Sequence, residues 1–212
     1  YLRAPEEEEW PYNKALIDLK KEFQQKGEDT QTFLGELWYL PASESYEKTV
    51  HFHGDTVQRK IDRLLKKIER DHSIDLVLID SPNGYGPMTQ QAFFVSDLIV
   101  LLFKWSKQHI MGSSKISEIM RYLDIDYLPV ASLVPNNLPQ FVRSYYESEM
   151  EKRLKQKTLI NIPENDSFKW SESCVMQNKW KFIVGESNIE NAENKELVNS
   201  YEALARQLIN MV

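Results

Sequence analysis

The stretch that decides the fold runs from Ile74 to Gly86 and has the sequence Ile-Asp-Leu-Val-Leu-Ile-Asp-Ser-Pro-Asn-Gly-Tyr-Gly. Its first half is an almost continuous run of Leu, Val and Ile, which is typical of a strand buried on both faces of a parallel sheet. The run ends on Asp80 and passes into a turn that holds Gly84 and Gly86. Because ligands of open α/β sheets bind just beyond the carboxyl ends of the strands, the pattern predicts a buried strand that places Asp80 at a ligand site.

Helical and strand patterns alternate on both sides of this stretch. Before it, Tyr12–Gln25 has helical composition, Phe33–Leu40 has strand character, and apolar residues from Val57 recur at i, i+4, i+7, i+8 and i+11, the spacing of one helix face. After it, the predicted helices are Met88–Val95, Ile110–Leu123, Leu138–Gln156, Ser167–Met176 and a closing helix through Leu197, Tyr201, Leu204 and Leu208. The predicted strands are Leu98–Phe103, Tyr127–Val134, Thr158–Ile162 and Lys181–Val184. This alternation predicts an α/β fold with a doubly wound, mostly parallel sheet and helices on both faces.

Composition excludes several classes of protein. The 212 residues suit a single α/β domain, residues 1–212, in which residues 1–32 form an acidic helical lead-in and residues 33–212 the core. The single cysteine, Cys174, allows neither an internal disulfide nor a zinc site with several thiolates. No apolar run approaches the roughly 20 residues that span a bilayer. A cytoplasmic protein without a transmembrane helix is therefore expected. The closing helix also lacks a basic amphipathic tail of the kind that binds membrane surfaces, so no membrane anchor is expected.

Other charged and aromatic groups have weaker functional interpretations. Basic residues on the predicted helices would suit non-specific contacts with DNA phosphates, although solvated helix faces are commoner and the net charge of −6 does not support a DNA partner. His51 and His53 lie on one face if extended, but a surface loop is favoured over a metal site. Trp105 fits either an exposed contact residue or the core.

The local sequence around Asp80 is compatible with more than one role for this residue. A carboxylate at the end of a strand suits Mg²⁺, which binds few carboxylates and keeps several waters. Gly84 and Gly86 would let the following turn approach a phosphate or change conformation between ligand states. Alternatively, Asp80 caps the helix that begins near Pro87, or it acts as base or nucleophile in a different doubly wound enzyme.

Several motifs, taken in order, resemble the ParA/MinD-type (deviant Walker) family of P-loop ATPases. The stretch Ile74–Gly84 is similar to the family's second nucleotide motif, a hydrophobic strand followed by Asp-Thr-Pro-Pro or a close variant, with Asn83 in place of the second proline. Leu133–Asn137 resembles the strand end that places an asparagine, here Asn136, against adenine. Ile162–Asp166 resembles the loop on the other side of the base. Each motif is weak alone, and the collinear set over residues 33–212 carries the resemblance.

The resemblance implies a switch ATPase that hydrolyses ATP with Mg²⁺ in a homodimer to control partitioning, positioning or the assembly of a protein partner or cargo. Asp80 would be the catalytic and magnesium-binding residue. The nucleotide contacts would come from Ser81, Pro82, Gly84, Gly86, Asn136, Pro163, Glu164 and Asn165. The alternative is a non-catalytic scaffold or adaptor that kept the fold after losing the phosphate loop.

The phosphate loop of that family has no counterpart in these residues. None of the seven glycines is followed by lysine, so the pattern G-x-x-x-x-G-K-[ST] does not occur. In the family this loop follows the first strand, which is central in the sheet, and its loss would leave backbone groups unpaired in the core. We therefore expect the first strand and the phosphate loop upstream of Tyr1, and residues 1–212 alone to be inactive.

Overall fold

Apolar periodicity sets where the helices and strands lie. The computed structural model describes residues 16–25, 35–41, 54–156, 160–165 and 192–211. The helices are α1 Leu19–Gln25, α2 Gly54–His72, α3 Pro87–Val95, α4 Lys107–Tyr122, α5 Gln140–Leu154 and α6 Ala192–Met211. The strands are β1 Ile17–Asp18, β2 Trp38–Tyr39, β3 Ile99–Phe103, β4 Tyr127–Val134 and β5 Ile160–Pro163. The chain divides into two compact units, residues 1–95 and 96–212.

In the first unit, α2 packs against α3. The apolar residues that α2 buries belong to the helix face predicted from the sequence. Val57 and Ile68, two members of the i, i+4, i+7 series, are 1 % and 8 % exposed. The helix predicted from that series is therefore confirmed. The predicted Phe33–Leu40 strand is shorter within the described residues, where only Trp38 and Tyr39 pair, antiparallel, with β1.

The second unit contains a parallel sheet in the order β3-β4-β5. Ile99 to Phe103 pair in register with Tyr127 to Ala131, and Val130 pairs with Ile160. The central strand, β4, has the bounds predicted from the sequence. The parallel sheet of the predicted α/β fold is thus confirmed.

One face of this sheet is covered by α6. Leu128 and Val130 of β4 and Ile160 and Ile162 of β5 form a buried cluster with Leu197, and other α6 residues pack against it, namely Tyr201, Leu204 and Leu208. These are the four helix positions whose spacing predicted the closing helix. Their apolar stripe is buried against the strands, as expected for an amphipathic helix on a sheet.

The opposite face is covered by α4 and α5. The Tyr127 hydroxyl donates to the carbonyl of Leu154 at the end of α5, and Arg121 of α4 donates to that hydroxyl at 3.2 Å and to the same carbonyl at 3.1 Å. Successive strand residues point to opposite faces, and Leu128, the neighbour of Tyr127, faces α6. Helices therefore lie on both faces of the sheet, as predicted.

The segment that precedes Asp80 differs from its prediction. Residues 74–80 belong to neither of the described sheets, and the apolar run is exposed: Leu76 by 54 %, Val77 by 46 %, Leu78 by 77 % and Ile79 by 40 %. The prediction of a buried strand ending on Asp80 is wrong here. An apolar run specifies burial but not a partner, and a strand needs a neighbour that satisfies its N–H and C=O groups.

Other predictions lie outside the described residues. They are the helix Ser167–Met176, the strand Lys181–Val184, His51, His53 and Cys174. None of the helices in the described ranges is both long and apolar enough to cross a bilayer.

Candidate functional site

The turn that follows Asp80 is fastened to α3. Asp80 itself is exposed. The buried Thr89 donates from Oγ1 to the carbonyl of Pro82 at 3.0 Å, and the N–H of Gln90 donates to the carbonyl of Gly86 at 3.0 Å. Both the start and the end of the turn are thus hydrogen-bonded to the first turn of the helix.

Gly84 is the position in this turn that requires glycine. Its φ is +85°, in the left-handed region, where a Cβ atom is disfavoured. Replacing Gly84 with alanine should lower the free energy of unfolding by about 1 kcal/mol, measured by urea denaturation followed by far-ultraviolet circular dichroism. Gly86→Ala is the matched control, because its φ is not in that region and a Cβ there meets nothing within 4 Å. Equal losses in the two variants would contradict a glycine-specific turn.

The carboxyl ends of β4 and β5 lie side by side and hold a second group of residues. The Glu164 N–H donates to the carbonyl of Val134 at 2.8 Å. Asn136 Nδ2 donates to the carbonyl of Glu164 at 3.1 Å. The structure thus brings Asn136 against the loop Pro163–Asn165, and these are the four residues that the resemblance assigns to the two sides of adenine.

The amide of Asn136 keeps hydrogen-bonding capacity for a ligand. A carboxamide has two N–H donors and one carbonyl acceptor, and the contact with Glu164 uses one donor. That contact also fixes the plane of the amide, while the residue itself remains exposed. An amide held in this way can present Oδ1 and its second N–H to the edge of a purine.

A bulge in β4 precedes this contact. Ala131 pairs with Asn161 and Val134 with Pro163, so that three steps along β4 match two steps along β5. Leu133, within the extra length, has a φ of +54°. A bulge bends its strand and re-aims the side chains that follow. Sequence reasoning missed it because the usual signal, a glycine at the left-handed position, is not there.

In the connection after β3, Trp105 is buried, whereas Lys104 before it is exposed. Trp105 is 9 % exposed, its ring lies 5.6 Å from that of Tyr146, and the Arg143 guanidinium lies 5.6 Å from the Trp105 ring centre. Ser106 caps α4 by accepting from the His109 N–H at 3.3 Å. Trp105 is therefore a core residue that packs against α5.

The sequence-predicted site residues divide between the two units. Asp80, Ser81, Pro82, Gly84 and Gly86 belong to residues 1–95, whereas the Asn136 group belongs to residues 96–212. Their union in one site stays a prediction. Among the described residues there is no cluster of three or more His, Cys, Asp or Glu side chains suited to a metal ion.

Comparison with known proteins shows a likeness of structure. No protein-family model and no curated protein sequence matches the chain. Among solved structures, it is similar to a chain of the MinC:MinD cell division protein complex of Aquifex aeolicus, with a TM-score of 0.63 and 16 % identity over 95 % of this chain and 69 % of that chain. It is also similar to MinD of Aquifex aeolicus, with a TM-score of 0.61 and 17 % identity over 95 % of this chain and 71 % of that chain.

The cell division ATPase MinD of Pyrococcus furiosus is similar as well, with a TM-score of 0.51 and 16 % identity over 79 % of this chain and 65 % of that chain. At such identities the likeness shows the fold. The chain has the α/β fold of MinD-like proteins, and the predicted fold class is confirmed.

Proposed function

We propose that this protein is a nucleotide-dependent switch of the ParA/MinD type, which binds ATP with Mg²⁺ and hydrolyses it to control its association with itself and with a protein partner. One observation carries the proposal: the contact between Asn136 and Glu164 where the carboxyl ends of β4 and β5 meet. It lies on a fold similar to that of MinD. Ligands of open α/β sheets bind at this edge.

Adenine fits the chemistry of the Asn136 amide. The adenine edge offers an amino donor at N6 and an acceptor at N7, which match Oδ1 and the second N–H of a carboxamide. Guanine carries an acceptor, O6, in place of the amino group, so that one amide atom would face an unmatched atom. Since a mismatch of this kind costs about 1–3 kcal/mol, the site should select ATP over GTP.

The Asp80 turn would serve the phosphate side of the nucleotide. Asp80 is an exposed carboxylate and would hold Mg²⁺ through the water shell of the ion, because Mg²⁺ binds few carboxylates and keeps its waters. Bound Mg²⁺ would supply charge that stabilises the reacting phosphates. Gly84 would let the turn come close to the γ-phosphate, and the contacts of Thr89 and Gln90 would carry a change in the turn to α3.

Self-association would convert nucleotide state into an output. The structures that the chain resembles are those of a cell division protein, which in one case is in complex with MinC. We propose that this protein likewise works through a protein partner and forms a homodimer when ATP is bound.

Calorimetry on the full-length protein tests the adenine contact. Asn136→Ala should weaken binding of Mg-ATP about tenfold or more, because it removes the amide from the purine edge. Asn137→Ala is the matched control, since Asn137 is the next residue in the same turn and has no assigned contact with the base. A wild-type protein that gives no binding heat with Mg-ATP, or equal affinities in the two variants, would contradict the proposal.

A non-catalytic scaffold is the second candidate. Its basis is that, within residues 1–212, no glycine is followed by the lysine with which a phosphate loop would hold the β- and γ-phosphates. A scaffold would capture its partner equally with and without Mg-ATP. The switch would capture it in one nucleotide state only, so a pull-down with Mg-ATP, Mg-ADP and no nucleotide separates the two functions.

A further inference from the structure

We infer that Leu133 is a positioning residue, whose left-handed backbone conformation holds the bulge in β4 that aims the Asn136 amide at Glu164. The consequence for nucleotide affinity rests on the proposed function. Leu133, Asn136 and Glu164 all lie in the second unit, residues 96–212.

The backbone of Leu133 departs from its surroundings. A residue in a parallel strand normally has φ near −120°, whereas Leu133 has +54°. Leucine in the left-handed region is sterically disfavoured, and glycine or asparagine is more usual there. Such a conformation persists only where the surrounding structure fixes it, and it is found preferentially at ligand sites.

The extra residue in the bulge determines which face of the sheet the side chain of Val134, and the chain after it, occupies. Before the bulge Ala131 pairs with Asn161, and after it Val134 pairs with Pro163. A shift of one residue moves every later side chain to the other face of the sheet. Without the bulge, Val134 would no longer pair with Pro163. The Asn136 side chain, two residues later, would no longer be placed to donate to the Glu164 carbonyl.

Packing of the side chain does not account for this conformation. Leu133 is 37 % exposed, whereas Val134 beside it is 3 % exposed. The carbonyl of Val134 accepts from the Glu164 N–H at 2.8 Å, and Asn136 Nδ2 reaches the Glu164 carbonyl at 3.1 Å. The residue with the disfavoured backbone conformation therefore directly precedes the two hydrogen bonds that join the end of β4 to the loop after β5.

Two substitutions of opposite backbone preference test the inference. Leu133→Ile introduces a β-branched residue that strongly avoids the left-handed region, and Leu133→Asn introduces one that tolerates it. Both remove the same partly exposed leucine side chain. The first readout is the hydrogen-exchange protection of the Asn136 side-chain amide, measured by NMR. Its NMR signal is identified as the one that disappears in the Asn136→Ala variant. The second readout is the Kd for ATP and for GTP.

Leu133→Asn should keep the amide protection and bind ATP within about twofold of the wild type. Leu133→Ile should lose the protection and weaken ATP binding about tenfold, the loss expected when one amide contact to a purine is misplaced. Its GTP affinity should change less, since the amide selects adenine. A merely structural role would lower both affinities together.

Equal amide protection in the two variants would overturn the inference whether or not nucleotide binds. If ATP binds neither variant nor the wild type, the proposed function fails, and the NMR comparison still decides the role of Leu133. If Asn136→Ala weakens ATP binding but Leu133→Ile leaves both the protection and the affinity intact, the proposed function stands and the inference fails.

Discussion

Replacing Leu197 with alanine should lower the free energy of unfolding by about 3 kcal/mol. The Leu197 side chain is fully buried between α6 and the sheet, in contact with a cluster that includes Val130 and Ile162. Removing a leucine from such a site costs its transfer free energy and leaves a cavity, in total about 2–5 kcal/mol. Urea denaturation followed by far-ultraviolet circular dichroism measures the loss.

Ile209→Ala provides the matched control in the same helix. Ile209 is 74 % exposed, so its loss should change stability by no more than about 0.5 kcal/mol. Similar small effects at both positions would mean that α6 does not cover the sheet as described.

Asp80→Ala should lower magnesium-dependent phosphate release from ATP by about 10- to 100-fold in the full-length protein. Groups that act on a metal through its bound waters typically contribute this much to metal affinity or activity. The effect should appear as a higher magnesium requirement, measured by phosphate release across a magnesium titration.

Asp75→Ala is the control for that experiment, because Asp75 is also exposed and lies in the same segment, residues 74–80. It should leave phosphate release unchanged. Equal rates of phosphate release in the two variants would show that Asp80 does not take part in ATP hydrolysis. Release that is insensitive to magnesium but lost in Asp80→Ala would instead favour an enzyme in which Asp80 acts as base or nucleophile.

Local periodicity predicted the helices and strands in which the apolar residues recur at the spacing of one buried face or form a buried run. The series from Val57 to Ile68 specified α2, and the mostly apolar run of Tyr127–Val134, interrupted only by Ser132, specified the central strand with its bounds. The stripe through Leu197 and Leu208 specified the closing helix. In each case burial of one face or of both follows from the spacing alone.

Pairing was not predictable to the same degree. The run from Leu76 to Ile79 has the composition of a central strand, yet it is exposed and unpaired within the described sheets. Phe33–Leu40 contributes only a two-residue bridge in the part of the chain that the structure describes. Composition records that a segment prefers burial, whereas strand formation depends on a neighbour elsewhere in the chain.

The candidate site stays a prediction, and the structure describes the contact between two of its residues. The resemblance assigned Asn136 and Glu164 to opposite sides of one ligand, and in the structure their amide and carbonyl groups are in hydrogen-bonding contact. The bulge at Leu133 could not be predicted from the sequence, because leucine rarely adopts the left-handed conformation that it has here. Strain of this kind is fixed by tertiary contacts and so is visible only in the folded chain.

Light scattering during size-exclusion chromatography tests the proposed switch most directly. With Mg-ATP the full-length protein should have twice the mass that it has without nucleotide, and it should return to the lower mass once ATP has been hydrolysed to ADP. Asn136→Ala should require a higher ATP concentration for the same change. A mass that does not change with Mg-ATP, at a concentration where calorimetry shows the nucleotide site to be saturated, would contradict a nucleotide-dependent switch.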